Sequence, residues 1–227
     1  MAKLMNKNIM CSKFLFCLSA LLPFCLSAQV QVSKEPLHKK VLENNYIRLL
    51  DVWVKPGDTT QFHVHTLPSV FLQFTTTNVS TQVKGKDWVK EQNTEGKLYF
   101  KPFGKDSVIH RVTNCDTRPF HVTDMELLSP YKSKFPLHQL PFPILLDNDR
   151  VIAYRLDGSS FSEHINSTHG PMLAELVKGH EVMYTDIVTK KSITIKEGKS
   201  LYIPPGNTFQ FSTIEEEAIN LVLIEIK

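Results

Sequence analysis

The chain has 227 residues, of which 42% are hydrophobic and 22% charged, with a formal charge of +3. The length suffices for one large domain or two small ones. The positive sign is local: Lys3, Lys7 and Lys13 lie in the first 28 residues, which hold no acid, and the remaining 199 residues balance to zero. A neutral body gives no support for nucleic-acid binding, so no nucleic-acid partner is expected.

In chain order, residues 1–28 come first. Three lysines precede a short apolar run at residues 14–26, and small Ala28 stands before Gln29. This pattern predicts a secretory signal peptide cleaved after Ala28. The run is shorter than the roughly 20 residues of a spanning helix, so no transmembrane span is expected in the mature chain. A lipid anchor at Cys25 fits less well, because Leu22-Pro23-Phe24 lacks small residues. The protein is therefore expected to be secreted or periplasmic. Cys11, Cys17 and Cys25 leave with the signal, so Cys115 alone remains and forms no internal disulfide.

Short apolar segments rich in Val, Ile, Phe and Tyr follow, at residues 46–54, 69–74, 120–128, 151–156, 172–177, 181–188 and 218–226. Turn residues separate them, and no stretch keeps a helical period, so the chain reads as all-β. It also repeats itself. Gly57 and Gly158, Gly96 and Gly198, Pro102 and Pro204, and Gly104 and Gly206 recur at a separation of 101 or 102 residues, with His164 opposite His63. Glu126 and Glu225 stand 99 apart, with Asp124 opposite Leu223, so the first half carries three extra residues, placed in the turn at 105–109. Between the halves, Pro130, Pro136, Pro141 and Pro143 predict a stiff linker over residues 129–149.

The stretch GDTTQFHVH, Gly57 to His65, carries the chemistry. Side chains at i and i+2 of a strand share a face, so His63 and His65 aim into one space, as two ligands of one metal ion would. Cys115 has no base beside it, and His38 and His138 fall in apparent loops. His121 is expected on a solvated strand face or, alternatively, on the pocket wall. Trp88, Phe62, Phe71 and Phe74 are expected in the core or, alternatively, on the pocket wall.

These motifs resemble those of the cupins. Gly57, five residues, then His63-Val64-His65 matches the family's first motif; Gly96, five residues, Pro102-Phe103-Gly104, and His110 three residues before Asn114 match the second. The resemblance covers nearly all of residues 41–227. Its repetition makes the chain similar to the two-domain bicupins. It implies two tandem barrels of the double-stranded β-helix or jelly-roll type, residues 29–128 and 150–227. It also implies that His63, His65 and His110 converge on a divalent transition metal, with Fe, Mn, Ni, Zn and Cu not distinguished. The family's glutamate ligand is missing after His65. What remains is a three-histidine set like that of the thiol-dioxygenase branch, with Gln73 or water as the replacement. In the second half, Asn166 and Phe209 stand where ligands belong, so that barrel is expected to be metal-free and mainly structural. His164 with His169 is the weaker candidate ion site there. The resemblance thus implies a small-molecule substrate or ligand and a homodimer paired through edge strands. Three classes stay open: a metal-dependent, dioxygenase-like enzyme, a binding protein, and a structural protein.

Overall fold

The computed structural model describes residues 29–227, other than 105, 135, 158, 159, 162, 167 and 215–217. The expected signal at 1–28 and the expected turn at Gly158 lie outside the described residues. The first half comprises β1 Val30–Gln31, β2 His38–Glu43, β3 Ile47–Val54, β4 His63–His65, β5 Ser69–Gln73, β6 Thr77–Val83, β7 Trp88–Asn93, β8 Leu98–Lys101, β9 Val108–Asn114 and β10 Phe120–Leu127. They form two five-stranded sheets, β1-β4-β9-β6-β7 and β2-β3-β10-β5-β8. The second half comprises β11 Ile144–Asp147, β12 Val151–Leu156, β13 His164–Ile165, β14 Met172–Lys178, β15 Glu181–Asp186, β16 Ser192–Lys196, β17 Ser200–Ile203, β18 Phe209–Ser212 and β19 Asn220–Ile226. Its sheets are β11-β12-β19-β14-β17 and β13-β18-β15-β16. The two halves are thus two-sheet jelly-roll barrels of one plan, as the repeat predicts. No helix among the described residues is long and apolar enough to cross a membrane.

β10 shows how the halves join. All eight of its residues are buried, because both of its faces are covered. Val122 and Asp124 point into the first barrel's cavity. Met125 and Leu127 point the other way, into a core shared with Val222, Ile224 and Ile226 of β19. Each such aliphatic side chain contributes about 1.5–3 kcal/mol on full burial, so this shared layer clamps one barrel to the other. The second barrel keeps a further core of its own, built on Tyr154, Phe209, Phe211 and Leu223.

The linker is shorter than the prolines suggest. Residues 144–147 are β11, the edge strand paired with β12, so the second barrel starts before residue 150. The preceding segment packs along the protein: the Tyr131 amide donates to the Lys227 carbonyl, and Phe142 enters the second core. Gly96 and Gly198 both hold positive φ, 74° and 72°, in the equivalent turns before β8 and β17. Only glycine takes this conformation freely, which is why the pair recurs.

Candidate metal centre

β4 lays His63 and His65 on the same face, and antiparallel pairing with β9 sets His63 directly opposite His110. His63 and His65 are almost fully buried, and His110 is partly covered. One ring nitrogen from each of the three lies within 4.8 Å of the others. His65 Nε2 and His110 Nε2 are 2.9 Å apart. His63 Nδ1 donates to the Gln61 carbonyl at 2.8 Å, while its Nε2 is buried with no hydrogen-bond partner among the described residues. Each ring thus has Nε2 to offer. Two nitrogens bound at about 2.0–2.1 Å and at right angles to one ion would lie about 2.9 Å apart, so the donor set fits a transition metal.

Burial, reinforced by the neighbouring imidazoles His38 and His65, holds His63 down at about 3. Burial and the facing His63 and His65 hold His110 at about 2. Both rings are therefore neutral at physiological pH, the form in which imidazole ligates.

The histidines line a cavity of about 60 Å³ together with Val52, Val54, Val112, Phe120 and Val122. A water needs roughly 10–15 Å³ on this scale, so there is room for a few waters or a small organic group. Phe103 stacks on His65 with ring centroids 4.8 Å apart. Gln73 is buried at the end of β5 and bonded to the Tyr99 side chain, its Oε1 has no hydrogen-bond partner among the described residues, and Tyr99 rather than Gln73 lines the cavity. Burial, with Asp124 nearby, pushes the Tyr99 phenol well above its usual range, so it stays protonated.

Other residues of the site escape the motif reading. His38 is not in a loop but opens β2, buried, and lines the cavity with its ring centroid 4.6 Å from that of His63. Its Nδ1 lies 2.5 Å from Glu35 Oε2. Glu35 is itself buried and accepts the Gln61 and Leu37 amides. Its carboxyl is buried, yet the bonds to His38 and these amides hold it below its usual range. Asp124 is buried with both oxygens unpartnered, and Oδ2 faces His65 Nδ1 at 3.4 Å. An acid in the apolar last strand, opposite Leu223 in the repeat, is the signal that could have found it.

His121 is neither solvated nor on the pocket wall. It points to the interface between the barrels, stacked between Trp53 and Phe74 at 3.8 and 4.4 Å, and its Nε2 lies 2.7 Å from Asp51 Oδ1. Trp88 is not core either; with Phe62 it flanks the Arg111 guanidinium at 4.8 and 4.5 Å.

In the second barrel one register differs from the sequence alignment. His164 pairs with Gln210 and is exposed, whereas Ile165 pairs with Phe209 and is buried. A one-residue slip turns a strand over. The inward counterpart of His63 is therefore Ile165, and that of His110 is Phe209, as expected. His169 is buried with its nitrogens 2.5 and 2.7 Å from the Gly170 and Asn207 carbonyls. With His164 outside, the pair is not brought together. Among the described residues, His63, His65 and His110 form the group able to hold a metal ion.

No protein-family model matches the chain. No curated protein sequence matches it either. Solved structures do. A cupin 2 conserved barrel domain protein from Leptotrichia buccalis superposes with a TM-score of 0.52 at 12% identity, covering 83% of this chain and 88% of that one. The fold is that of the cupins. AerE from Microcystis aeruginosa matches this cupin fold with a TM-score of 0.56 at 13% identity, over 85% of this chain and 98% of that one. Salicylate 1,2-dioxygenase from Pseudaminobacter salicylatoxidans matches with 0.57 at 10% identity, over 84% and 76%. At these identities the likeness extends to the cupin fold alone.

Proposed function

We propose that this chain is an exported metal-binding bicupin whose first barrel acts, through a three-histidine centre, on a small organic substrate by oxygenase-type chemistry. The observation that carries the reading is the meeting of three imidazoles on a cavity wall, with His63 Nε2 left without a hydrogen-bond partner among the described residues. His63, His65 and His110 would hold a divalent transition ion. Such an ion supplies oxygen activation if it is redox-active, and Lewis-acid polarisation in any case. The salicylate dioxygenase among the structural neighbours supports this class.

The chain's own residues would do the rest. The valines and Phe120 exclude water and admit an apolar substrate body. Tyr99, kept protonated, offers a hydroxyl at the wall. Glu35 fixes His38 through Nδ1, leaving His38 Nε2 as that ring's remaining polar atom beside the cavity. The small volume favours a compact substrate. Export rests on the lysines and apolar run of residues 1–28, and the N-terminal sequence of the mature protein should begin at Gln29.

The reading is tested by reconstituting the mature protein separately with Fe, Mn, Ni, Zn and Cu. Oxygen uptake is then followed with small thiols, diketones and phenolics. Uptake that needs the metal and is lost in His63→Ala supports it; metal binding without turnover of any of these would favour a binding protein.

A further inference from the structure

We propose that Asp124 is the carboxylate of this centre, acting through His65 instead of on the ion. The inference rests on the reading of His63, His65 and His110 as ligands. Because His65 Nε2 faces His110 Nε2 at 2.9 Å, its Nδ1 faces away from the point where the three rings meet. There it finds Asp124 Oδ2 at 3.4 Å. Both side chains are nearly inaccessible, and neither atom has a hydrogen-bond partner among the described residues. Buried polar atoms are rarely left so, which makes each the natural partner of the other.

The surroundings support a specific role. Glu126, two residues on and on the same face of β10, has its charge matched by Arg48 at 2.8 Å. For Asp124 the facing group is His65 Nδ1. In the second barrel, which holds no such histidine set among the described residues, the same position on β19 is Leu223, packed in the core. The acid therefore accompanies the histidines. A carboxylate on Nδ1–H holds the tautomer that leaves Nε2 free, fixes the ring plane and raises the basicity of Nε2. It also places one negative charge beside a divalent ion whose three ligands are neutral, restoring by a longer route the charge that the absent glutamate would bring. Asp124 is thus a positioning residue.

The test titrates the full mature chain with Co2+ alone, reading affinity and the visible ligand-field spectrum. Asp124→Asn should weaken Co2+ binding by about tenfold to a hundredfold and shift the spectrum, without lowering the melting temperature of the metal-free protein. Asp124→Leu, the counterpart residue and an apolar one, should lose at least as much; Asp124→Glu should keep more affinity than either. In a double-mutant cycle, Asp124→Asn should cost nothing further in a His65→Ala background but should add to His110→Ala. Affinity and spectrum unchanged in both Asp124→Asn and Asp124→Leu would overturn the proposal while leaving the three-histidine reading intact. So would an equal loss in the His65→Ala background. A wild-type chain that binds no Co2+ would overturn the three-histidine reading itself, and this inference with it.

Discussion

The two barrels share a strand plan and differ in what they hold. Where the first has His63, His110, Tyr99, Gln73 and Asp124 on inward positions, the second has Ile165, Phe209, Leu201, Leu176 and Leu223, by the matched pairings. Five polar groups are replaced by apolar ones that belong to the second barrel's core or pack against it. The first barrel carries the cost of buried, partly unsatisfied polar atoms, while the second supplies the compact layer against which the site-bearing sheet is clamped. On the proposed reading, one fold separates holding a site from holding the structure.

The sharpest break of the comparison is to write one barrel into the other. His110→Phe gives the first barrel the second's residue; metal affinity should fall by more than about a hundredfold in a titration. The metal-free protein should melt no lower, because a partly covered polar ring has given way to an apolar one beside existing space. Phe209→His, the reverse exchange, should destabilise by about 3 kcal/mol in denaturant unfolding and should create no metal site, since the facing Ile165 cannot ligate and both nitrogens of the adjacent His169 are held by the Gly170 and Asn207 carbonyls.

The seam between the barrels offers a pH-dependent test. Glu175 of β14 is fully buried, with Ser200 donating to it at 2.9 Å. Burial pushes it up to about 7, against the bonds from Ser200 and Thr123, and the nearby Asp51 adds to the rise. In the unfolded chain it ionises near the ordinary carboxylate range. As pH rises from about 4.5 to about 7, the unfolded chain loses this proton while the folded one keeps it, so stability falls; above about 7 the penalty is constant. Glu175→Gln should remove it, leaving stability little changed at pH 4 and raising it by on the order of 3 kcal/mol at pH 8. At the small end, His164→Ala should change stability by less than about 0.5 kcal/mol and leave metal binding intact, because His164 is exposed on the outer side of β13.

Much of this was legible in the residues. The β character, the repeat and the pair His63 and His65 follow from periodicity and turn chemistry, which are local. The third ligand was found by resemblance, yet its strand β9 was not read at all: VIHRVTN mixes polar and apolar residues because only part of one face meets the cavity. β6, β7 and β8 escaped as well: β7 is largely exposed, β8 is half-buried over most of its length, and β6 is built mainly of Thr, Ser, Asn and Gln even where it is buried. The register of β13 could not be read from an alignment of glycines, since a strand of two residues gives no period to follow and one residue decides which side chain is buried. His38 and Glu35 were invisible as site residues because His38 reaches the cavity from β2 and Glu35 touches it only through His38, while Asp124 was marked only by its mismatch with Leu223; the closed barrel brings them together.

The central claim is that one barrel binds a metal ion and the other does not. The most direct measurement is the metal content per chain of the purified mature protein after reconstitution, in the wild type and in a His63→Ala, His65→Ala double variant. The account predicts about one ion per chain in the wild type and less than about a tenth in the variant. Less than about a tenth in the wild type, or an unchanged ion in the variant, would contradict it.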